Sequence, residues 1–435
     1  MAQISAAPAV SPTVGAAPDA DTVVRTILFI GMYLAVWISF HPFQSLAEPP
    51  QTVTEAGDRV NQVAFSALFL ALATWTYFHE PRRLLLLVRP IMVVALLWCA
   101  VSVIFSWEPA LAARRLTFTV MVMGMAAMVL LLPKDVRQFS DMMAAVVLIV
   151  LALCYLGLVL APQLTIHQAT DFVEPEHAGD WRGIFNHKNM AGVTMVLFIF
   201  VGMFVARARS FGLGALIVVL SSVFLGFTGS KTAIGILPLT LILSAIVTRT
   251  RRPALAIALV LVLLVGFNLC TVGSIYFEPI RHLVEEFLPD PTFTGRTELW
   301  EFAVEHVMQH PLIGYGFYAF WGTEQVVYAL GGSQPWVNAA SDAHNTYLNL
   351  AVTIGIPGLI LTIVWIVVMP IVDFYRRPAD APATPLQVLF IRVVLFGVYS
   401  SCFENSFFQQ LDSVWFLYIT AAFGLRYLSV TRVVA

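Results

Sequence analysis

A chain of 435 residues in which 59% are hydrophobic and only 11% charged lies far from the roughly 25% charge of soluble domains. That balance excludes a soluble enzyme and describes an integral membrane protein. The formal net charge of -2 likewise excludes the basic surface that binding of nucleic acid needs.

Residues 1–22, rich in alanine and proline with Asp19 and Asp21, lack the basic start of a cleavable signal peptide. They are expected to form a disordered cytoplasmic tail, with the first apolar run kept as an anchor. About twelve apolar stretches follow, near 24–40, 61–78, 84–106, 116–132, 141–161, 189–206, 211–228, 232–247, 254–273, 346–372, 386–403 and 412–428. Most reach the roughly 17–25 residues a helix needs to cross about 30 Å of hydrocarbon. Their Leu, Val, Ile, Ala and Gly lack the strict alternation of barrel strands. The expected fold is an all-α integral membrane protein with about twelve transmembrane helices. Nine lie in 23–273, a large external loop with amphipathic helices covers 274–345, and helices ten to twelve with a short cytoplasmic C-terminus cover 346–435.

With both termini cytoplasmic, the inner loops carry Arg82, Arg83, Arg89, Lys134, Arg137, Arg207, Arg209, Arg249, Arg251, Arg252, Arg376 and Arg377. This satisfies the positive-inside rule and puts 274–345 outside the cytoplasm. Cys99, Cys154, Cys270 and Cys402 all fall in or beside apolar runs, and no loop holds a pair. They read as small buried hydrophobes rather than disulfides. Arg392 is the clearest charge inside a span, and Glu404, Asp412 or a carbonyl is its expected partner.

The polar interruption contains GRTELW (295–300), HPLIGYGF (310–317) and DAHNTYLNL (342–350). Over 297–309, Leu299, Trp300, Ala303, Val304, Val307 and Met308 recur at helical spacing, which predicts an amphipathic helix. His306 and His310 share a helix face, but Val307 breaks the HExxH pattern, so a solvated face is expected and no metal site. Gly314-x-Gly316 follows a proline rather than a strand and reads as a turn. Asp19-x-Asp21 in the tail is the only Asp-x-Asp pair, and no βαβ pattern is present. A nucleotide-sugar enzyme is therefore not expected.

Four external cations merit weight: Arg182 and Lys188 in WRGIFNHKNMAG (181–192), Lys231 in FTGSKTAIG (227–235), and Arg296. Singly, each reads equally well as an interfacial anchor. Together, helix entries rich in Gly, Ser, Asn and Lys offer N–H groups and a positive dipole end to an anion such as a phosphate, with arginine adding forked donors. His344 stands where a helix begins. A ring held there can take a proton from a hydroxyl at neutral pH, and a helix N-terminus is expected to keep it neutral.

The order WRGIFNHKN, GSKTA, GRTELW with HPLIGYGF, then DAHNTYLNL before Gly-Ile-Pro-Gly resembles the bacterial O-antigen ligase and polymerase family, notably its exopolysaccharide polymerase branch, over roughly 180–370. The resemblance implies a GT-C-like, metal-independent, inverting glycosyltransferase of the bacterial inner membrane, without cofactor, whose site faces the periplasm. It implies an undecaprenyl-diphosphate-linked glycan as donor and a glycan or lipid A core as acceptor, with membrane lipids around it. Arg182, Arg296, Lys188 and Lys231 would hold the diphosphate, and His344 would be the base. Polymerase is favoured by the HKN cluster, and ligase stands close behind. A twelve-helix transporter is the competing class, although the chain lacks the two related halves such folds usually have.

Overall fold

The structure is a computed structural model and describes residues 19–38, 42–47, 59–172, 174–287, 293, 295–326, 340–377, 381–409 and 412–431. The disordered tail expected over 1–22 falls mostly outside these residues, and the first helix already begins at Ala20. In lipid every backbone polar group must be satisfied within the chain, so apolar runs of this length become helices. Among the described residues the only strand-like pairing is an isolated bridge between Ile166 and Trp181.

The helices are α1 (Ala20–Ile38), α2 (Arg59–His79), α3 (Pro81–Leu87), α4 (Pro90–Ile104), α5 (Pro109–Val129), α6 (Val136–Leu160), the single turn α7 (Pro162–Thr165), α8 (Lys188–Ala208), α9 (Phe211–Phe227), α10 (Lys231–Arg249) and α11 (Pro253–Cys270). In the polar interruption lie α12 (Glu278–Phe287) and α13 (Arg296–Gln309). Then come α14 (Thr346–Thr362), joined through the π-helical Ile363–Val368 to α15 (Met369–Phe374), and finally α16 (Pro385–Ser400) and α17 (Ser413–Val430). Among the described residues each apolar stretch read from the sequence forms helix over most of its length, and the count of about twelve crossing helices is not reached by length and composition. Among the described residues, eight helices are long and apolar enough to span, or nine if α3 and α4, bent by 75°, are one span. The shortfall has local causes: α2 opens with Arg59, Asn61 and Gln62, and α9 and α16 are only 17 and 16 residues long.

Helix α8 is the centre of the bundle, with 78% of its apolar window buried, whereas α11, at 22%, lies at the rim. Small residues allow the closest approach. A Cβ at Gly214 of α9 would lie 2.3 Å from the backbone nitrogen of Ala206 in α8, the small-residue contact by which membrane helices associate. Helix starts carry the side-chain caps expected of Asp, Asn and Thr: Asp135 accepts from Gln138 N–H at 2.7 Å, and Thr384 and Gln387 form a capping box on α16.

Two motifs of the sequence meet where α14 breaks. Gly355 has φ of 72° inside the helix, a left-handed conformation that glycine tolerates and other residues do not. The carbonyls and N–H groups released there are taken up by the HPLIGYGF loop. Ile356 N–H donates to the Pro311 carbonyl at 2.8 Å, and Tyr315 and Gly316 N–H donate to the Val352 and Thr353 carbonyls at 2.9 Å each. Trp98 Nε1 donates to the Ile354 carbonyl at 2.9 Å. A Cβ at Gly355 would stand 2.1 Å from the Leu312 carbonyl oxygen. Gly355→Val is therefore expected to lose about 3 kcal/mol or more, read as a lower thermal midpoint and reduced yield of monodisperse protein in detergent.

Candidate active site

The entries of α8 and α14 and the segment after α16 meet at one end of the bundle. Asn345 caps α14, its side chain accepting from Leu348 N–H at 3.0 Å, while its Nδ2 donates to Asn268 Oδ1 at 3.1 Å and to the Cys402 carbonyl at 3.0 Å. Thr346 Oγ1 donates to the Glu404 carbonyl at 3.0 Å and accepts from Ser406 N–H at 2.9 Å. Trp300 of GRTELW donates Nε1–H to the Ala343 carbonyl at 2.8 Å. His344 is thus held from both sides, by the tryptophan one residue before it and by the cap one residue after it.

His344 itself has φ of 46°, an αL geometry that costs a non-glycine residue energy and recurs at functional sites. Its N–H donates to Asp342 Oδ1 at 2.7 Å, and Nδ1 lies 3.5 Å from Glu404 Oε2. The side chain is 37% exposed. No hydrogen bond engages its Nε2 among the described residues, so that nitrogen is open to an incoming group.

Glu404 gathers the site. Its Oε1 accepts from Arg296 at 3.3 Å and from Asn189 Nδ2 at 3.1 Å, while its Oε2 faces His344. Arg296, first residue of α13, also donates to the Phe403 carbonyl. Burial works to raise the Glu404 pKa, but the Arg296 charge and the His344 hydrogen bond overcome it and hold the carboxyl down at about 2. Burial works to lower the pKa of His344, and the Glu404 hydrogen bond and the Asp342 charge reverse that, so the net shift is upward. This corrects the expectation that the helix N-terminus would lower it: carboxylates at 3.5 and 3.9 Å favour the charged ring.

Arg296 and His344 are therefore brought together through Glu404, and the other three cations are not bonded to them. Lys188 opens α8 and pairs with Asp180 at 2.6 Å. Lys231 opens α10 and is exposed, with no partner found among the described residues. The two helix entries pack against each other, since a Cβ at Gly192 would lie 2.6 Å from Ser230 Cβ. Arg182 is only 1% exposed. Its two terminal nitrogens donate to the Phe185 and Gln44 carbonyls at 3.0 and 2.6 Å, and its Nε is buried without a partner. It ties down the loop that delivers α8, with its guanidinium shielded from solvent.

Sequence reasoning missed Glu404 and Asn189, and it missed Arg115. Arg115 donates to the Tyr318 carbonyl, and the Tyr318 hydroxyl donates to Asn405 Oδ1 at 3.2 Å, beside Glu404. The signal available was a lone carboxylate in SCFENSFF (401–408) between two apolar runs. Arg392, for which Glu404, Asp412 or a carbonyl is the expected partner, instead donates to Ser244 Oγ at 3.3 Å and lies 3.5 Å from Met203 Sδ.

Of the pair His306 and His310, His306 Nδ1 is occupied by the Phe302 carbonyl at 2.8 Å. A group the sequence reading did not consider, Glu174, His177 and His187, places its ligand atoms within 4.8 Å of one another. Its hydrogen bonding fits an ion poorly. His187 Nδ1 accepts from Asn189 N–H at 3.1 Å as the cap of α8, so the neutral ring carries its proton on Nε2, 2.8 Å from Glu174. A metal-bound histidine needs its other nitrogen to donate. The group reads as an imidazole–carboxylate pair, and His187 holds the Glu174 carboxyl down at about 2.

Residues 216–363 match the family model described as O-Antigen ligase. That segment contains Lys231, Arg296 and His344, while Arg182, Lys188 and Glu404 lie outside it. The chain is also 28% identical over 160 residues to the "Exopolysaccharide production protein ExoQ" of Rhizobium meliloti (strain 1021), covering 36% of this chain and 35% of that relative.

Proposed function

We propose, from a chain whose residues 216–363 belong to the O-antigen ligase family, that this multi-pass membrane protein is a glycosyltransferase of surface-polysaccharide assembly. The observation that carries the reading is the Arg296–Glu404–His344 cluster, two of whose members fall within the matched segment. The donor is a glycan on a polyprenyl diphosphate, and the acceptor is a sugar hydroxyl. His344 Nε2 takes the hydroxyl proton as the oxygen attacks the anomeric carbon. The bond from that carbon to the diphosphate breaks, and the lipid diphosphate leaves with the electron pair. Attack opposite the leaving group inverts the centre.

Glu404 and Asp342 stabilise the imidazolium that forms, which is the task of an orienting carboxylate. Arg296 faces the charge that develops on the diphosphate, with Lys231 and Lys188 as further donors and the buried Arg182 holding the loop that positions Lys188. Cationic side chains supply what a divalent metal supplies in nucleotide-sugar enzymes, so the reaction is proposed to be metal-independent. The relative's printed role in exopolysaccharide production favours chain polymerisation over ligation to lipid A core. The purified protein in proteoliposomes with labelled polyprenyl-diphosphate glycan tests this reading: labelled glycan should move to the acceptor in the presence of chelator. No transfer to either a lipid-linked repeat or lipid A core would reject it.

A periplasmic site is supported by the clustering of basic residues in the loops at the opposite end. His282, 70% exposed on α12, provides a probe. In a background without Cys270, His282→Cys should react with an impermeant thiol reagent in intact spheroplasts and Arg376→Cys should not. The opposite labelling would invert the topology.

A further inference from the structure

Helix α8 delivers Asn189 Nδ2 to Glu404 Oε1 at 3.1 Å, and its entry is capped by rings rather than by oxygens. The first N–H groups of a helix have no intrahelical partner, and the side-chain oxygen of an Asp, Asn, Ser or Thr ordinarily takes one of them. Here two imidazoles take two. Lys188 N–H donates to His167 Nε2 at 3.3 Å, and Asn189 N–H donates to His187 Nδ1 at 3.1 Å. The two ring centroids are 5.5 Å apart. His167 Nδ1 meets Asp171 Oδ2 at 2.8 Å, and His187 Nε2 lies 2.8 Å from Glu174 Oε2. Each ring therefore turns its proton to a carboxylate and its lone pair to the helix. The His167 backbone is fixed on both sides, its N–H donating to the Asp180 carbonyl and its carbonyl accepting from Gly179 N–H, at 2.9 Å each.

We infer that His167 and His187 are positioning residues that hold Asn189 against Glu404 only while both rings are neutral, which makes the entry of α8 an acid-sensitive latch on the candidate active site. The consequence for transfer rests on the glycosyltransferase reading, whereas the unlatching itself does not. A protonated imidazole has two N–H donors and no acceptor. Protonation of either ring thus replaces a cap with a cation directed at the positive end of the helix, which the macrodipole disfavours. Among the described residues, the charged and titratable groups facing the pair are Asp171, Glu174, His177, Arg182, Glu404 and Lys188 with its partner Asp180. Burial holds the His167 ring below the ordinary imidazole range even with Asp171 bonded to it, and burial does the same for His177. The latched state therefore binds fewer protons than the open one. Latching is complete above the ordinary histidine value of about 6.5 and is withdrawn as pH falls from there through the depressed value.

The test follows amide hydrogen exchange of residues 188–192 in the full chain in detergent, between about pH 7.5 and about pH 5.5 and corrected for the intrinsic pH dependence of exchange. Each cap lost is expected to raise exchange about five-fold, so the native entry should open more than about ten-fold on acidification. In His187→Asn/His167→Gln, amide oxygens stand where the two ring nitrogens accept and neither side chain titrates, so protection should stay flat. His187→Asn alone leaves the buried His167 and Asp171 pair untouched and should show a smaller step than the native chain. His187→Ala should be open at both pH values. The entry of α6, capped by Asp135, should show no step. A flat native entry, a step of equal size at α6, or an undiminished step in both asparagine-bearing variants would overturn the latch. Transfer is the second readout. His187→Ala should lose about five-fold or more at neutral pH, and His187→Asn should regain it with a shallower acidic limb. Equal transfer and equal limbs in all three proteins would overturn the role in positioning Asn189. An exchange step as described, with no transfer from any protein including the native one, would support the latch and count against the glycosyltransferase reading.

Discussion

His344→Gln is expected to lower glycan transfer by about 10² to 10⁴, the usual cost of removing a positioned general base, while leaving donor binding and detergent stability near those of the native chain. Glutamine keeps the size of the ring and its capacity to hydrogen-bond with Glu404 but cannot accept the proton, so the variant separates chemistry from packing. Near-normal turnover would reduce His344 to an orienting group. The pH profile supplies an independent reading. A base must be unprotonated to act, so kcat/KM should rise with pH through the His344 pKa, which Glu404 and Asp342 hold above its ordinary value. Glu404→Gln removes the largest favourable partner of the imidazolium, and the acidic limb should then move to lower pH. An unmoved limb would mean that another group sets the profile.

Arg296→Ala should cost about 10² to 10³ in transfer, the range seen when one donor to a developing charge is deleted. Arg296→Lys should recover only part, because an ammonium cannot reproduce the planar fork that reaches both Glu404 and the Phe403 carbonyl. The guanidinium is the largest influence holding Glu404 down at about 2, so the alanine variant also leaves that carboxylate without its main countercharge. The side chains are 17% and 22% exposed, so solvent screens part of the loss in stability. Arg296→Ala/Glu404→Gln distinguishes the two effects. It should regain yield without regaining transfer, whereas recovery of activity would show that Arg296 serves only to neutralise Glu404.

What was legible in the sequence follows from properties carried by single segments. Apolar length and the absence of alternation specify helices wherever water is excluded, and among the described residues each of the twelve stretches is mostly helical. The positions of His344 and Arg296 at helix entries were legible because each sits at a polar-to-helix boundary. Whether a helix spans was less legible, since Phe211–Phe227 and Pro385–Ser400 are apolar but short and their depth is set by their neighbours.

The amino-acid sequence by itself determined the membrane class, the helical elements, the polar interruption and the residue types available for proton and phosphate chemistry, because these depend on local composition and periodicity. Only the tertiary structure decided which partners those residues meet. It joined Asn189, Arg296, His344 and Glu404, separated in the chain by up to 215 positions, turned the expected lowering of the His344 pKa into a rise, and placed Arg182 among backbone carbonyls. The physical reason is the same in each case: a charge in a low-dielectric bundle answers to whichever partner the packing brings within a few ångströms, and sequence proximity does not specify that partner.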